Sequence, residues 1–451
     1  MPLLPIKPSW TTTDKETVRL YQGDTLKVLQ RLPSGSVQCI ATSPPYWNLR
    51  DYQVEGQLGS EANPDCGRIN GNCAEQDWQT GCFVCRLVLV FREARRVLRD
   101  NGLCFLNLGD SYASGEVGRH DQKEGQWFTG SNAIKHDALP RKNRKMNTGI
   151  PQGNLVGIPW RVALALQADE WILRQDIIWA KRNTMPESVR NRFTKAHEYV
   201  FMLAKKPGYY CDMEAVKEGS ITGDVRKPYG SDGAWQIDGR NKWGEGAGQP
   251  QNRDGSKRNK RSVWSITSQE VLAWLSDKAP EVLSQYLEEA TNKEDVWSLS
   301  SSPYPGSHFA TFPEALVETI IKCATSEHGC CAKCGSPWER VVDRAETNGE
   351  LASGLRFGDA QTKTTGWEPG CKCNSQVKPC TVMDIFVGSG TTCSVALVHG
   401  RHSIGIDLSE TYLQDHAAKR IITDCLGRPG LAHLVPREVG NTIRGTSLLK
   451  R

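Results

Sequence analysis

The 451-residue chain has no apolar run that approaches the ~18 residues of a membrane span. Residues 1–10, which include three prolines, lack the zones of a secretory leader. A soluble, cytoplasmic protein with no membrane partner is expected. Charge of one sign is also scarce: 56 Lys and Arg against 51 Asp and Glu leave a net charge of +5. Three signatures are missing. Without Gly-Lys-Ser/Thr a triphosphate loop is not expected, and the lack of a full Gly-x-Gly-x-x-Gly argues against a dinucleotide ligand. Without His-x-Glu, zinc deaminase chemistry has no general acid. No nuclease motif is present either, so DNA cleavage by this chain is not expected.

The charge that is present is uneven. Arg141-Lys142-Asn143-Arg144-Lys145 and Lys257-Arg258-Asn259-Lys260-Arg261 are basic clusters in polar sequence. Such loops either neutralise phosphates or simply stay solvated.

The most informative stretch is Thr42-Ser43-Pro44-Pro45-Tyr46-Trp47, at the exit of the apolar run Val37-Gln38-Cys39-Ile40-Ala41. Proline fixes φ, removes a donor and extends the residue before it. Ser43 and the Pro44 carbonyl are left as acceptors beside two aromatic faces, an arrangement suited to a planar base carrying an amino group. Packed aromatics at a strand exit are the bland reading, and Trp47 fits it at least as well as a role as second wall.

Far downstream, Val382-Met383-Asp384-Ile385-Phe386-Val387-Gly388-Ser389-Gly390-Thr391-Thr392 reads as strand, glycine turn and helix, followed by a strand ending at Asp407. This is the nucleotide-cradling βαβ pattern. Gly388 and Gly390 allow close backbone approach, and Asp407, 19 residues after Gly388, is placed to accept from ribose hydroxyls.

Sixteen cysteines are many for a reduced compartment. Cys66, Cys73, Cys82 and Cys85 form one quartet; Cys331, Cys334, Cys371 and Cys373 form a second, ribbon-like one. Four thiolates close a tetrahedral zinc site with no open position, so structural zinc is expected at both. Cys39, Cys104, Cys323 and Cys393 lie in apolar runs and read as buried thiols.

In this order the two motifs resemble the beta class of amino-methylating DNA methyltransferases, the permuted N4-cytosine/N6-adenine family that uses S-adenosylmethionine. The resemblance runs through most of residues 18–420. Gly23-Asp24 is similar to the family's acidic element near the cofactor adenine. Phe91-Arg92-Glu93 and Asn107-Leu108-Gly109-Asp110 resemble its next helix and strand, and Trp179-Ala180-Lys181 and His197-Glu198 its later strands. His308-Phe309-Ala310-Thr311-Phe312-Pro313 resembles the element covering the methionine end of the cofactor. The resemblance implies Ser43, Pro44, Pro45 and Tyr46 as catalytic residues, with Tyr46 stacking on a flipped base. It implies Asp24, His308, Phe309, Phe312, Asp384, Phe386, Gly388, Ser389, Gly390, Thr391 and Asp407 as cofactor-binding. Double-stranded DNA is the implied substrate and a separate cognate restriction endonuclease the implied partner. Ser43 at the head of the motif leans towards cytosine N4. Adenine enzymes more often carry Asp or Asn there, though several keep Ser, so both products stay open.

Strands are expected near 36–42, 103–108, 173–180, 198–204, 381–386 and 403–407, with helices near 86–99, 158–168, 312–324, 391–399 and 410–425. That alternation implies a doubly wound, Rossmann-like α/β sheet with polar DNA-facing insertions. The catalytic half is 18–205, with a cysteine-rich insertion at 62–86 and a mobile loop at 113–153. Target recognition is assigned to 206–300, where 267–296 is an insertion. The cofactor half is 301–426 with a ribbon-like insertion at 328–375, and 427–451 is a tail. Two rival readings remain. A silent DNA-binding protein would have decayed Asp384, Gly388, Gly390 and Asp407; an RNA or protein-glutamine methyltransferase would have no use for large polar insertions.

Overall fold

The computed structural model describes residues 6–49, 52, 54–67, 73, 78–113, 150–181, 191–219, 257–258, 263–264, 313–344, 362–428 and 430–435. The expected cofactor residues His308, Phe309 and Phe312, the basic cluster at 141–145, most of the 113–153 loop and most of 206–300 lie outside them.

In chain order the strands are β1 (Trp10–Thr11), β2 (Val18–Gln22), β3 (Val37–Thr42), β4 (Leu98–Leu108), β5 (Ile172–Ala180), β6 (His197–Ala204), β7 (Glu218–Gly219), β8 (Lys257–Arg258) and β9 (Val263–Trp264). They continue as β10 (Cys330–Cys331), β11 (Trp338–Arg344), β12 (Thr362–Pro369), β13 (Val377–Lys378), β14 (Thr381–Asp384) and β15 (His402–Asp407). The helices that matter are α1 (Thr25–Leu29), α2 (Phe83–Val97), α3 (Ile158–Ala168), α4 (Glu314–Ala324) and α5 (Thr391–Val398). A C-terminal helical run follows, in which Leu413–Ala418 forms a wider π turn before Lys419–Leu426.

Nine strands form one sheet in the order β1-β2-β15-β14-β3-β4-β6-β5-β9. The block from β2 to β4 is parallel, and β6 runs antiparallel to both β4 and β5. The sheet is therefore mixed. β3 and β14 are buried at every position, as expected of parallel strands covered on both faces. Side chains alternate along β4: Cys104, Leu106 and Leu108 meet α2 and α3, whereas Leu103 and Phe105 meet α4 and α5. Helices on both faces make the sheet doubly wound.

Local sequence accounts for the helices. α2 turns Phe83, Leu87, Val90, Phe91 and Ala94 to the sheet and leaves Arg92, Glu93, Arg95 and Arg96 outside. The packed pair Phe91 and Trp171, edge to face at 6.4 Å, sits in that layer, where each buried large side chain contributes roughly 2–3 kcal/mol. α3 starts with a proline in its first turn, and its orphan amides at Gly157 and Ile158 donate to Asp110 at 3.1 and 3.0 Å.

Two differences from the expected elements stand out. β1, β2, the two-residue strands β7 and β8, the ribbon strands β10 to β13, and α1 are additional. Strand β9 lies inside the region assigned to target recognition, yet it pairs with β5, so that stretch extends the sheet edge.

Candidate active site

β3 leads through α2 to β4 on one side, and β14 leads through α5 to β15 on the other. Strand order thus reverses between β14 and β3, and a crevice opens beyond their carboxyl ends. The two motifs, 342 positions apart, meet there: Thr42 Oγ1 donates to Asp384 Oδ1 at 2.7 Å. Asp384 also accepts from Thr392 Oγ1 at 2.8 Å and from the Phe386 amide at 3.1 Å. Burial pushes its carboxyl up to about 6 against the pull of those three donors. Asp384 is the knot that holds both loops.

Gly388 has φ +47° and Gly390 φ +80°, the left-handed region that glycine enters freely. A Cβ at Gly390 would lie 2.9 Å from Ala417 Cα, so this glycine serves the packing of α5 against the C-terminal run. Asp407 accepts from the Gly388 amide at 3.0 Å and from the Ser409 amide at 2.9 Å. Its carboxyl too is pushed up to about 6 by burial. Asp407 therefore shapes the loop as well as facing the pocket.

The pocket is lined by Asp24, Ser43, Pro45, Asp384, Phe386, Gly388, Ser389, Thr391 and Asp407 among the expected residues. Pro44, Tyr46 and Gly390 do not line it. Sequence reasoning missed a second wall: Tyr52, Val54, Gly56, Gln57, Leu58 and Trp78, with Leu408, Ser409 and Tyr412 closing the far side. Tyr52 and Tyr412 meet edge to face at 6.0 Å. Trp78 Nε1 donates to Asp24 Oδ2 at 3.1 Å, and the other Asp24 oxygen caps α1 through the Lys27 amide. These wall residues carry no periodicity; a tryptophan within a cysteine-rich polar insertion was the available signal.

Beside the pocket, the Tyr46 hydroxyl donates to Glu198 Oε2 at 2.7 Å. Asn107 Nδ2 donates to the same oxygen at 3.0 Å, and Lys181 pairs with Oε1. Burial and the adjacent Glu198 carboxylate push the Tyr46 hydroxyl well above its ordinary range, which keeps it a neutral donor. The ring lies against Gly109, where a Cβ would come within 2.4 Å of it. Ser43 Oγ lies 3.4 Å from the Tyr46 hydroxyl. Glu198, expected as part of a later strand, fixes Tyr46. Trp47 is core: 1% exposed, with its Nε1 bonded to the Glu61 carbonyl at 2.9 Å.

Both cysteine quartets converge. Within each, all four sulfurs lie within 4.8 Å of one another. Cys39, Cys104, Cys323 and Cys393 are buried among apolar side chains or in the sheet, as expected. Among the described residues no helix is long and apolar enough to cross a membrane.

The model of the N6/N4 DNA methylase family matches residues 37–332 and 377–420. The Type II methyltransferase M.Cfr9I of Citrobacter freundii is 35% identical over 312 residues, 68% of this chain and 72% of that protein. M.XycI of Xanthomonas campestris pv. cyanopsidis is 34% identical over 307 residues, covering 68% and 72%. M.SmaI of Serratia marcescens is 32% identical over 394 residues, 87% of each chain.

Proposed function

This chain belongs to the N6/N4 DNA methylase family, S-adenosylmethionine-dependent amino-methyltransferases of DNA, and from that premise we propose that it methylates the exocyclic N4 amine of a flipped cytosine. The observation that carries the reading is the single crevice into which Ser43 and Pro45 project together with Phe386, Gly388 and Asp407.

The pocket suits the cofactor. Asp24 and Asp407 offer carboxylate acceptors for hydroxyls and amines, the aromatic and aliphatic wall suits a purine, and the glycine turn admits a ligand close to the backbone. S-adenosylmethionine supplies an electrophilic methyl group on a sulfonium. The chain's own residues prepare the nucleophile. An exocyclic amine is weak because its lone pair is delocalised into the ring. Ser43 and the Pro44 carbonyl accept from its protons and favour a pyramidal nitrogen, while orientation contributes the larger share of the acceleration. A base inside a duplex has to be flipped to reach them. Tyr46 is the stacking partner, oriented by Glu198, Asn107 and Lys181.

Ser43 supports cytosine N4, since the family's adenine enzymes more often begin the motif with Asp or Asn. A modification role beside a separate nuclease is consistent with the Type II relatives. Mass spectrometry of nucleosides from unmethylated duplex DNA incubated with protein and cofactor tests the reading. N4-methylcytosine is expected; N6-methyladenine would keep the mechanism and reverse the base.

A further inference from the structure

We propose that each cysteine quartet holds one zinc ion, and that the ion at Cys66, Cys73, Cys82 and Cys85 sets the Trp78 wall of the cofactor pocket. Four sulfurs ~2.3 Å from a central zinc lie about 3.8 Å apart on the edges of a tetrahedron. Cys66 and Cys85 Sγ are 3.6 Å apart, and all four sulfurs stay within 4.8 Å. Backbone amides already point at the sulfurs, as outer-shell donors do around ligating thiolates: Cys82 N to Cys73 Sγ at 3.3 Å and Cys85 N to Cys82 Sγ at 3.4 Å. At the second quartet, Cys334 N points at Cys331 Sγ at 3.5 Å, and Gly335, φ +67°, turns the knuckle. Structural thiols elsewhere in this chain, such as Cys39, Cys104 and Cys393, are fully buried. The quartets instead bring the partly exposed Cys66, Cys73, Cys334, Cys371 and Cys373 from separate segments against the buried Cys82, Cys85 and Cys331, sulfur to sulfur, which apolar packing does not require. On ligation each thiol gives its proton to solvent, no electron moves, and no position is left for a reactive water.

The first quartet controls what stands beside it. Phe83 N and Val84 N donate to the Asn63 and Pro64 carbonyls at 3.2 and 3.1 Å, which brings Cys66 to the first turn of α2. Trp78, four residues before Cys82, is held on its pocket side by Asp24 and on its ring face by Arg86, 4.7 Å from the centroid. A metal joining Cys73 to Cys82 fixes both ends of the short segment that carries this tryptophan. The coupling rests on the cofactor assignment above; the metal content does not.

Metal analysis of full-length protein purified without added metal should find two zinc ions per chain, with Cys66→Ser and Cys331→Ser each retaining one. Calorimetric titration with S-adenosylmethionine should find about tenfold weaker binding in Cys66→Ser and in Trp78→Ala, the latter with both zinc ions, and no change in Cys331→Ser. Wild-type protein that carries no stoichiometric metal, or iron instead, overturns the zinc assignment. Two zinc ions with equal cofactor affinity in Cys66→Ser and Cys331→Ser overturn the coupling and leave the cofactor reading standing. Failure of the wild type to bind the cofactor would strike that reading and the coupling with it, and leave the zinc assignment standing. Should Cys66→Ser not fold, wild-type metal content and Trp78→Ala affinity decide the matter.

Discussion

The two ends of one sheet are built for different purposes. At the carboxyl ends of β3 and β14, polar side chains face a crevice: Ser43, Asp24 and Asp407 line it, and Thr42 is bonded to Asp384 beneath it. At the amino ends of the same strands, the buried Gln38 side chain is fully occupied. It accepts from the Thr381 amide at 2.8 Å, and donates to the Gly335 carbonyl at 3.1 Å and to Cys330 Sγ at 3.4 Å. Gln38 stitches the second cysteine ribbon onto the sheet. One edge keeps acceptors turned to a ligand space, whereas the other closes its hydrogen bonds internally. The first cysteine quartet sits at the open edge and the second at the closed one. Function and stability should therefore separate by edge.

The largest separation is expected at the proline loop. Ser43→Ala or Tyr46→Ala should lower turnover by about 100-fold or more while cofactor affinity stays near wild type, as measured by single-turnover assay and calorimetry. Unchanged turnover would end the catalytic assignment. Next, Asp407→Ala removes the acceptor of two loop amides and should weaken cofactor binding by roughly 10- to 100-fold, the range of a charged hydrogen bond worth ~1.5–3 kcal/mol. Affinity equal to wild type would detach the glycine loop from the cofactor. Gln38→Ala, at the closed edge, orphans the Thr381 amide and should cost ~1–3 kcal/mol in urea unfolding with kcat and KM unaltered. A kinetic defect in that variant would break the contrast between the edges.

The smallest effect is a pH dependence. Asp384 and Asp407 are raised in the fold from 3.8 to about 6. The native state therefore takes up protons between those values that the unfolded chain does not. Their contribution to stability is fully present below 3.8 and is lost as pH rises through about 6. If, as proposed, cofactor binding uses the ionised Asp407, it should run the other way and weaken as pH falls through about 6. Calorimetry and urea melts from pH 7 to pH 5 test the opposed slopes; parallel slopes would refute the ionised role of Asp407.

Much of the fold was legible because parallel strands buried on both faces read as continuous apolar runs. The 37–42, 103–108, 381–384 and 403–407 stretches are of this kind. β2 was less legible, since Val18–Gln22 alternates two charged or polar residues with apolar ones over only five positions. The antiparallel direction of β6 was not legible at all, for periodicity carries no sign of direction. In the site, the proline and glycine motifs announced themselves through residues with restricted or unusual backbones. The wall residues Tyr52, Val54, Gly56, Gln57, Leu58 and Trp78 did not, because they stand outside any strand or helix and their role comes only from what they face.

By itself, then, the sequence determined the chemistry on offer. It carries an acceptor-rich, rigid loop, a glycine turn without a phosphate-binding lysine, two sets of four thiols and the apolar runs that commit the chain to a layered sheet. The tertiary structure decided which of these groups act together. It set β14 beside β3, so that Thr42 reaches Asp384. It turned Glu198 from a strand partner into the acceptor that orients Tyr46, and it brought Trp78 over Asp24. The physical reason is that backbone preference and hydrophobic period are local properties, readable within a few residues. Contact across a topological switch point is set by strand order, which no local stretch encodes.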